Sequence, residues 1–212
     1  MITELAEALL SREGPASLNE LAREVRASPE AVLELVMRLG GSVSVSGDEV
    51  VVSSRAEAAA ELIRLGADPE VVSRRLSWRD FEGFAASALE EAGFRVWRNL
   101  RSPGRGGFEV DVVGVRAPYA VAVDCKRWAY RVSSPSRIAE AAAAQRRRSE
   151  MLAASWARLG LPGVVRVLVP ALLVIRDDLD RFINGVAVVP VLRLRGFLEE
   201  LESVAEDLGV RV

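Results

Sequence analysis

The chain has 212 residues, of which 50% are hydrophobic and 27% are charged, so it is long enough for one sizeable domain with or without a smaller one. It contains no histidine and a single cysteine, Cys125. This composition excludes histidine general bases, Ser-His triads, histidine-zinc sites, internal disulfides and cysteine metal cages. A metal ion would need oxygen ligands, which favours Mg²⁺ or Mn²⁺.

The N-terminus has early acidic residues and lacks the basic start and apolar stretch of a signal peptide. The longest apolar run, 164–175, is too short to cross a bilayer and contains an arginine. We therefore expect a cytoplasmic protein with no membrane partner, in agreement with its single cysteine.

Charge is strongly segregated along the chain, although the net charge is only −2. Residues 1–93 hold 9 basic and 17 acidic residues, whereas residues 94–148 hold 12 basic and 4 acidic residues, a net charge of +8. Such a basic segment indicates an anionic partner, and a solvated basic face is the alternative.

The N-terminal part reads as a small helical domain with a hairpin, and it resembles a winged helix-turn-helix over 1–55. Residues 2–11 have helical apolar spacing, Ser17 with Glu20 forms a capping box, Ser28-Pro29 opens a third helix, and 43–52 reads as a hairpin. The net charge of these 55 residues is −4. Because DNA affinity depends on phosphate contacts, docking or dimerisation is favoured over direct DNA reading, which stays open.

Residues 56–77 read as a helical connector, and the larger domain is expected over 78–212. Its predicted order is αβββαβ, followed by a short strand and a closing helix, which indicates an α/β fold with a mixed sheet flanked by helices. The predicted elements are a helix over 78–92, strands over 94–97, 109–115 and 120–126, a helix over 136–159, strands over 164–175 and 186–189, and a helix over 194–207.

Two acidic residues and a lysine mark the middle of this domain. Side chains alternate along a strand, so Asp124 and Lys126 share a face while Cys125 points the other way. If the two strands pair as a hairpin, Asp111 comes close to Asp124, and a divalent cation would relieve their repulsion. A structural ion pair with nearby arginines is the alternative for these two aspartates.

Lys126 is the single lysine among 28 basic residues. A lysine beside a metal ion can hold an attacking water or offset charge on a phosphate, and it can change its protonation, which arginine does not readily do. A chemical requirement for lysine would explain why this position is not arginine.

The combination of Glu82 on a helix, Glu109-Val-Asp-Val112 and Asp124-Cys-Lys126 resembles the PD-(D/E)XK nuclease superfamily, the restriction-endonuclease-like fold. The resemblance covers roughly residues 78–190 and is nearest to archaeal proteins similar to Holliday-junction resolvases and to Mrr-type enzymes. Asp124 stands where glutamate is more frequent, and Val110 stands where proline is frequent.

The resemblance implies roles for individual residues. Asp111, Asp124 and the backbone carbonyl of Cys125 would bind Mg²⁺ or Mn²⁺, Lys126 would assist the attacking water, and Glu82 would be an indirect metal ligand. For Glu82, a plain solvated helix residue is the alternative.

Further residues are candidates for auxiliary or binding roles. Some members of the superfamily use a glutamine on the following helix, which would be Gln145 here. The residues predicted to contact nucleic acid are Arg101, Arg105, Arg127, Arg131 and Arg146.

These patterns predict a Mg²⁺-dependent DNA endonuclease, a phosphodiester hydrolase, that acts on DNA and that could work as a homodimer, as many enzymes of this fold do. The alternative is a non-catalytic nucleic-acid-binding or regulatory protein that retains the nuclease fold.

Overall fold

The computed structural model describes residues 1–104, 107–126, 134–175 and 178–212. The described chain forms two compact units. The N-terminal unit contains Met1–Asp80, and the C-terminal unit contains Phe81–Lys126 and the described residues from 134 onwards.

The N-terminal unit combines five helices with a small antiparallel sheet, counted over Met1–Asp80. The strands lie in the order β1-β3-β2. The elements are α1 (Ile2–Leu10), β1 (Ala16–Ser17), α2 (Leu18–Glu24), α3 (Pro29–Met37), β2 (Val43–Ser46), β3 (Glu49–Val52), α4 (Arg55–Arg64) and α5 (Pro69–Arg74).

The two predicted helix caps in this unit are confirmed. The Ser17 side chain accepts a hydrogen bond from the backbone N–H of Glu20, and Ser28 accepts one from Ala31. The helices of the predicted connector, α4 and α5, belong to the same compact unit. The winged-helix interpretation of 1–55 and the predicted domain bounds stay predictions.

The C-terminal unit is built on a mixed sheet. Within the described residues, its strand order is β4-β5-β6-β7-β9-β8, and β10 also pairs with β7. The elements are α6 (Trp78–Glu91, which begins just before this unit), β4 (Arg95–Arg101), β5 (Glu109–Arg116), β6 (Tyr119–Lys126), α7 (Pro135–Ala154), β7 (Val167–Val174), β8 (Phe182–Ile183), β9 (Val186–Pro190), α8 (Leu194–Glu199), α9 (Leu201–Leu208) and β10 (Val210–Arg211).

The predicted order αβββαβ is confirmed in α6 to β7. Strands β4, β5 and β6 are joined as an antiparallel meander, whereas β6, β7 and β9 are parallel. A parallel connection needs a crossover, and α7 provides it between β6 and β7. The fold is therefore the predicted mixed sheet flanked by helices.

The structure differs from the sequence prediction at several element ends. Helix α7 ends at Ala154, five residues before the predicted end, and the closing helix is interrupted at Glu200. Strands β8 and β10 were not predicted, because two residues are too few to show a period in the sequence. Of the helices that the structure describes, none is both long and apolar enough to cross a membrane.

One face of the sheet packs against the C-terminal half of α7 and the turn that follows it. Val113 and Ala122 from the sheet and Leu152 and Trp156 from the helical side belong to one buried cluster. The partly buried Trp97 packs against the same cluster. The burial of this face fixes α7 against β5 and β6.

Gly114 on β5 leaves no room for a side chain, because Leu89 of α6 packs directly over it. A Cβ atom at this position would lie 2.8 Å from Leu89 Cδ2, on α6, and 3.2 Å from Phe94 Cδ1. Leu89 is fully buried, so it has little room to move. The glycine therefore lets α6 settle on β5.

We expect Gly114→Ala to lower the free energy of unfolding by about 1 to 3 kcal/mol, because the added methyl overpacks a full core. Gly163→Ala is the matched control, since no atom lies within 4 Å of its added Cβ. Urea denaturation of both variants measures the difference. Equal stability of the two would show that α6 and β5 are not tightly packed.

Candidate active site

Register places the two predicted aspartates opposite each other on neighbouring strands. Val112 pairs with Val123, so Asp111 and Asp124 occupy the next position on β5 and β6. Directly opposite residues of an antiparallel pair share a face and have close side chains. The predicted hairpin is therefore present, and the two aspartates follow its last paired residues closely enough to interact electrostatically.

Asp111 is half-buried, and its Oδ2 accepts a hydrogen bond of 2.7 Å from the backbone N–H of Cys125. Burial, followed by the negative charge of Asp124, raises the pKa of Asp111 above its ordinary value. The Cys125 hydrogen bond and the positive charges of Lys126 and Arg148 oppose this rise. Burial and the charge of Asp124 together outweigh the groups that stabilise the Asp111 carboxylate.

Asp124 is 5% exposed and lies between two cations. Lys126 Nζ is 2.7 Å from Asp124 Oδ2, and Arg148 Nη2 is 2.8 Å from Asp124 Oδ1. The first contact confirms that Asp124 and Lys126 share a face of β6. The second contact was not predicted.

Arg148 reaches Asp124 from α7 and is held there by Gln145. The buried Gln145 side chain donates a 2.8 Å hydrogen bond through Nε2 to the carbonyl of Ala122. Its Oε1 accepts a 3.2 Å hydrogen bond from Arg148 Nε. The sequence signal for this link is the three-residue spacing of Gln145 and Arg148, which puts them on one side of the helix.

Unsatisfied polar atoms concentrate at this place. Among the described residues, the buried side-chain atoms without a hydrogen bond are Asp124 Oδ2, Arg148 Nη2 and Ser149 Oγ. The first two lie within ion-pair distance of a partner but outside hydrogen-bond geometry. Buried polar groups are nearly always hydrogen-bonded, so Asp124 Oδ2 and Arg148 Nη2 are atoms at which a ligand or water can bind.

Glu82 is 6% exposed on α6, so it is not a solvated helix residue. Burial, then the charge of Asp111, raises the pKa of Glu82, whereas a hydrogen bond with the Asn99 side chain and the charge of Arg98 lower it. Glu82 on α6 is therefore within electrostatic range of Asp111 on β5.

Asn99, which was not predicted, forms a hydrogen bond with the buried Glu82 side chain. Arg98 pairs with Val112 and Leu100 pairs with Val110, so Asn99 stands opposite Asp111. Its φ of 50° lies in the left-handed region, which asparagine tolerates better than most residues. Residues held in such conformations concentrate at functional sites.

Cys125 contributes its backbone to the site. Burial is the main cause that raises the pKa of its thiol well above the ordinary value, and the charges of Asp111 and Asp124 add to it. In a strand, the N–H and C=O of one residue face the same neighbour. Since the Cys125 N–H bonds Asp111, its carbonyl faces the same side.

The predicted nucleic-acid contacts have different surroundings. Arg101 is exposed and pairs with Glu109 at 3.0 Å. The Arg146 guanidinium donates to the carbonyls of Gly185 and Leu208 and pairs with Glu150, so it holds the backbone near α9. Arg101 and Arg146 as DNA contacts stay predictions. Three further predicted contacts lie outside the described residues: Arg105, Arg127 and Arg131.

The donor set suits a hard divalent cation that keeps part of its water shell. In the described ranges, no group of three or more acidic or cysteine side chains could hold a metal ion alone. Mg²⁺ is usually bound by one or two carboxylates with several waters. Asp111, Asp124 and the Cys125 carbonyl match that requirement.

Comparison with known proteins gives the family. Residues 73–152 match the Mrr catalytic-domain family, described as "Restriction endonuclease". This span contains α6, β4, β5, β6 and α7, the elements that carry the site. The chain belongs to this restriction endonuclease family of the PD-(D/E)XK type. Nucleases of this kind typically use a divalent metal ion.

Two individual proteins are similar to this chain. A protein of Archaeoglobus fulgidus, described as uncharacterized, is 30% identical over 138 residues, which are 63% of this chain and 98% of the relative. The crystal structure of protein VC1899 from Vibrio cholerae aligns with 98% of this chain at 13% identity and a TM-score of 0.36. This chain spans 50% of the length of that protein.

We expect Asp111→Asn to stabilise the metal-free protein at neutral pH. A carboxyl whose pKa is raised on folding destabilises the folded state above that pKa, and the penalty disappears as pH falls below its ordinary value. Asparagine removes the charge and keeps an oxygen that can accept from the Cys125 N–H.

Melting temperatures in EDTA between pH 4 and pH 8 test this expectation. Wild type should gain stability, relative to Asp111→Asn, as the pH falls towards the ordinary carboxyl pKa, so the two curves converge. Glu109→Gln, an exposed position on the same strand, is the control. Lower stability of Asp111→Asn at pH 8 would contradict the prediction.

Proposed function

We propose that the protein is a Mg²⁺-dependent DNA endonuclease that hydrolyses phosphodiester bonds. The supporting observation is that Asp111 and Asp124 lie next to the last paired residues of β5 and β6 and interact electrostatically, with Lys126 Nζ 2.7 Å from Asp124. The family match over 73–152 covers this arrangement.

In the proposed reaction, some residues bind the metal ion and others hold water or donate a hydrogen bond. Asp111, Asp124 and the Cys125 carbonyl would hold the cation, which when bound polarises the phosphate and lowers the pKa of a bound water. Buried Glu82, supported by Asn99, would hold a water of the metal shell.

Lys126 faces the reacting atoms in this proposal. Its side chain is 28% exposed, so the ammonium group reaches the surface of the site while it contacts Asp124. It can donate to the attacking water or to a phosphate oxygen, and charge stabilisation of this kind is worth the most where water is excluded.

DNA as the substrate is supported by the basic segment and the surface of β4. Residues 94–148 carry a net charge of +8, and Arg95, Arg98 and Arg101 are exposed on β4. Exposed arginines can contact phosphates without reading sequence.

We propose docking or dimerisation as the role of the N-terminal unit. Helix α3, in the position of a DNA-reading helix in winged-helix proteins, exposes Glu30, Glu34 and Met37. Acidic side chains on this face disfavour phosphate contact. A homodimer would let two sites cut two strands.

The proposed location of the protein is the cytoplasm, because a free cysteine such as Cys125 is typical of a reducing compartment.

Incubation of the purified protein with branched, nicked and linear DNA should give cleavage with Mg²⁺ or Mn²⁺ and none with EDTA. Asp124→Asn should lower the rate by about 100-fold or more, because it removes a charged ligand. Arg147→Met, on the exposed side of α7, is the control and should cleave normally.

Absence of metal-dependent cleavage of every substrate, by protein that melts cooperatively, would rule the endonuclease out. Retained salt-sensitive DNA binding in that case would favour the non-catalytic nucleic-acid-binding alternative.

We expect Lys126→Arg to lower the cleavage rate by about 100-fold, and Lys126→Met to lower it at least as much. Arginine keeps the charge but has a planar, wider group that does not lose its proton. Single-turnover rates measure this effect, with Arg147→Lys as the conservative control. Full activity of Lys126→Arg would show that positive charge alone is sufficient.

A further inference from the structure

Both carboxylate oxygens of Asp124 face a cation in this structure. Lys126 Nζ lies near Oδ2 and Arg148 Nη2 lies near Oδ1, at 2.7 and 2.8 Å. One buried carboxylate therefore contacts two positive groups, and the charges of both groups also act on the neighbouring Asp111. Lys126 belongs to the acid-acid-lysine motif, whereas Arg148 is additional.

A buried side chain holds Arg148 in its position. Gln145 is fully buried, with Nε2 bonded to the Ala122 carbonyl and Oε1 bonded to Arg148 Nε. Ala122 lies two residues before Asp124 on the same strand, so α7 and β6 are locked together at this point. The Arg148 side chain is 26% exposed, although its Nη2 is buried.

We propose that Arg148 is a positioning residue that stands in for the metal ion at Asp124 and competes with it. This inference rests on the proposed function, since it assumes that Asp124 is a metal ligand. In the metal-free protein, Arg148 keeps the buried carboxylate compensated and in place. When a divalent cation binds, the same guanidinium is an opposing charge beside the site.

Electrostatics predicts the direction in which Arg148 changes the affinity for a metal ion. A positive group near a divalent cation weakens cation binding, and the effect is large where water is excluded. Removal of Arg148 should therefore tighten metal binding, while it leaves Asp124 less compensated in the metal-free state. If Arg148 only supported the structure, its removal would lower both the stability of the protein and its affinity for the metal ion.

Mn²⁺ titration of the DNA-free protein, followed by electron paramagnetic resonance, tests the competition without reference to cleavage. We expect Arg148→Met to bind Mn²⁺ about tenfold more tightly than wild type. The same variant should melt several degrees lower in EDTA and regain stability with Mn²⁺. Arg147→Met makes the same charge change one residue away, at an exposed position, and should match wild type.

The variant Arg148→Lys distinguishes the effect of charge on Mn²⁺ affinity from the effect of side-chain shape, because it keeps the positive charge and loses the guanidinium group. Competition by charge predicts Mn²⁺ affinity near that of wild type for this variant. Gln145→Met should shift the Mn²⁺ affinity in the same direction as Arg148→Met but by less, since it releases Arg148 without removing it.

Unchanged or weaker Mn²⁺ binding by Arg148→Met would overturn the inference and leave the proposed nuclease function intact. If neither wild type nor Arg148→Met binds Mn²⁺, both the metal-dependent function and the inference fail. Equal tightening by Arg147→Met would show a general charge effect and would also refute a specific role for Arg148.

Discussion

Two negative charges side by side in a buried sheet are the constraint around which the C-terminal unit is organised. The register of β5 and β6 places Asp111 opposite Asp124, and burial strengthens their repulsion. Such a pair persists only where the surrounding groups supply opposing charge and hydrogen bonds. Each neighbouring element supplies part of this opposing charge or of these hydrogen bonds.

Three elements of the chain supply these groups. Strand β6 supplies the Cys125 N–H and Lys126, α7 supplies Arg148, and β4 supplies Asn99 for the neighbouring Glu82. Topology explains the second contribution. Because β6 and β7 are parallel, the chain must cross over the sheet, and α7 therefore lies on the face towards which Asp124 points.

Local sequence patterns were sufficient for much of this unit. Period-two alternation placed Asp124 and Lys126 on one face, and the element order from α6 to β7 followed from turns and apolar spacing. Arg148 was not found, because its three-residue spacing from Gln145 distinguishes it from the other two arginines only once Gln145 is known to be buried. Asn99 was missed because its role depends on register with β5 and on a side chain from α6, which are long-range facts.

Among the described residues, β4 is an edge strand of its sheet, which has a consequence for behaviour at high concentration. An edge strand exposes backbone donors and acceptors that another chain can use to extend the sheet. Here the left-handed backbone of Asn99 interrupts the regular row, and the exposed Arg95, Arg98 and Arg101 add mutual repulsion between copies. The conformation that serves the site therefore also protects this edge against strand-by-strand aggregation.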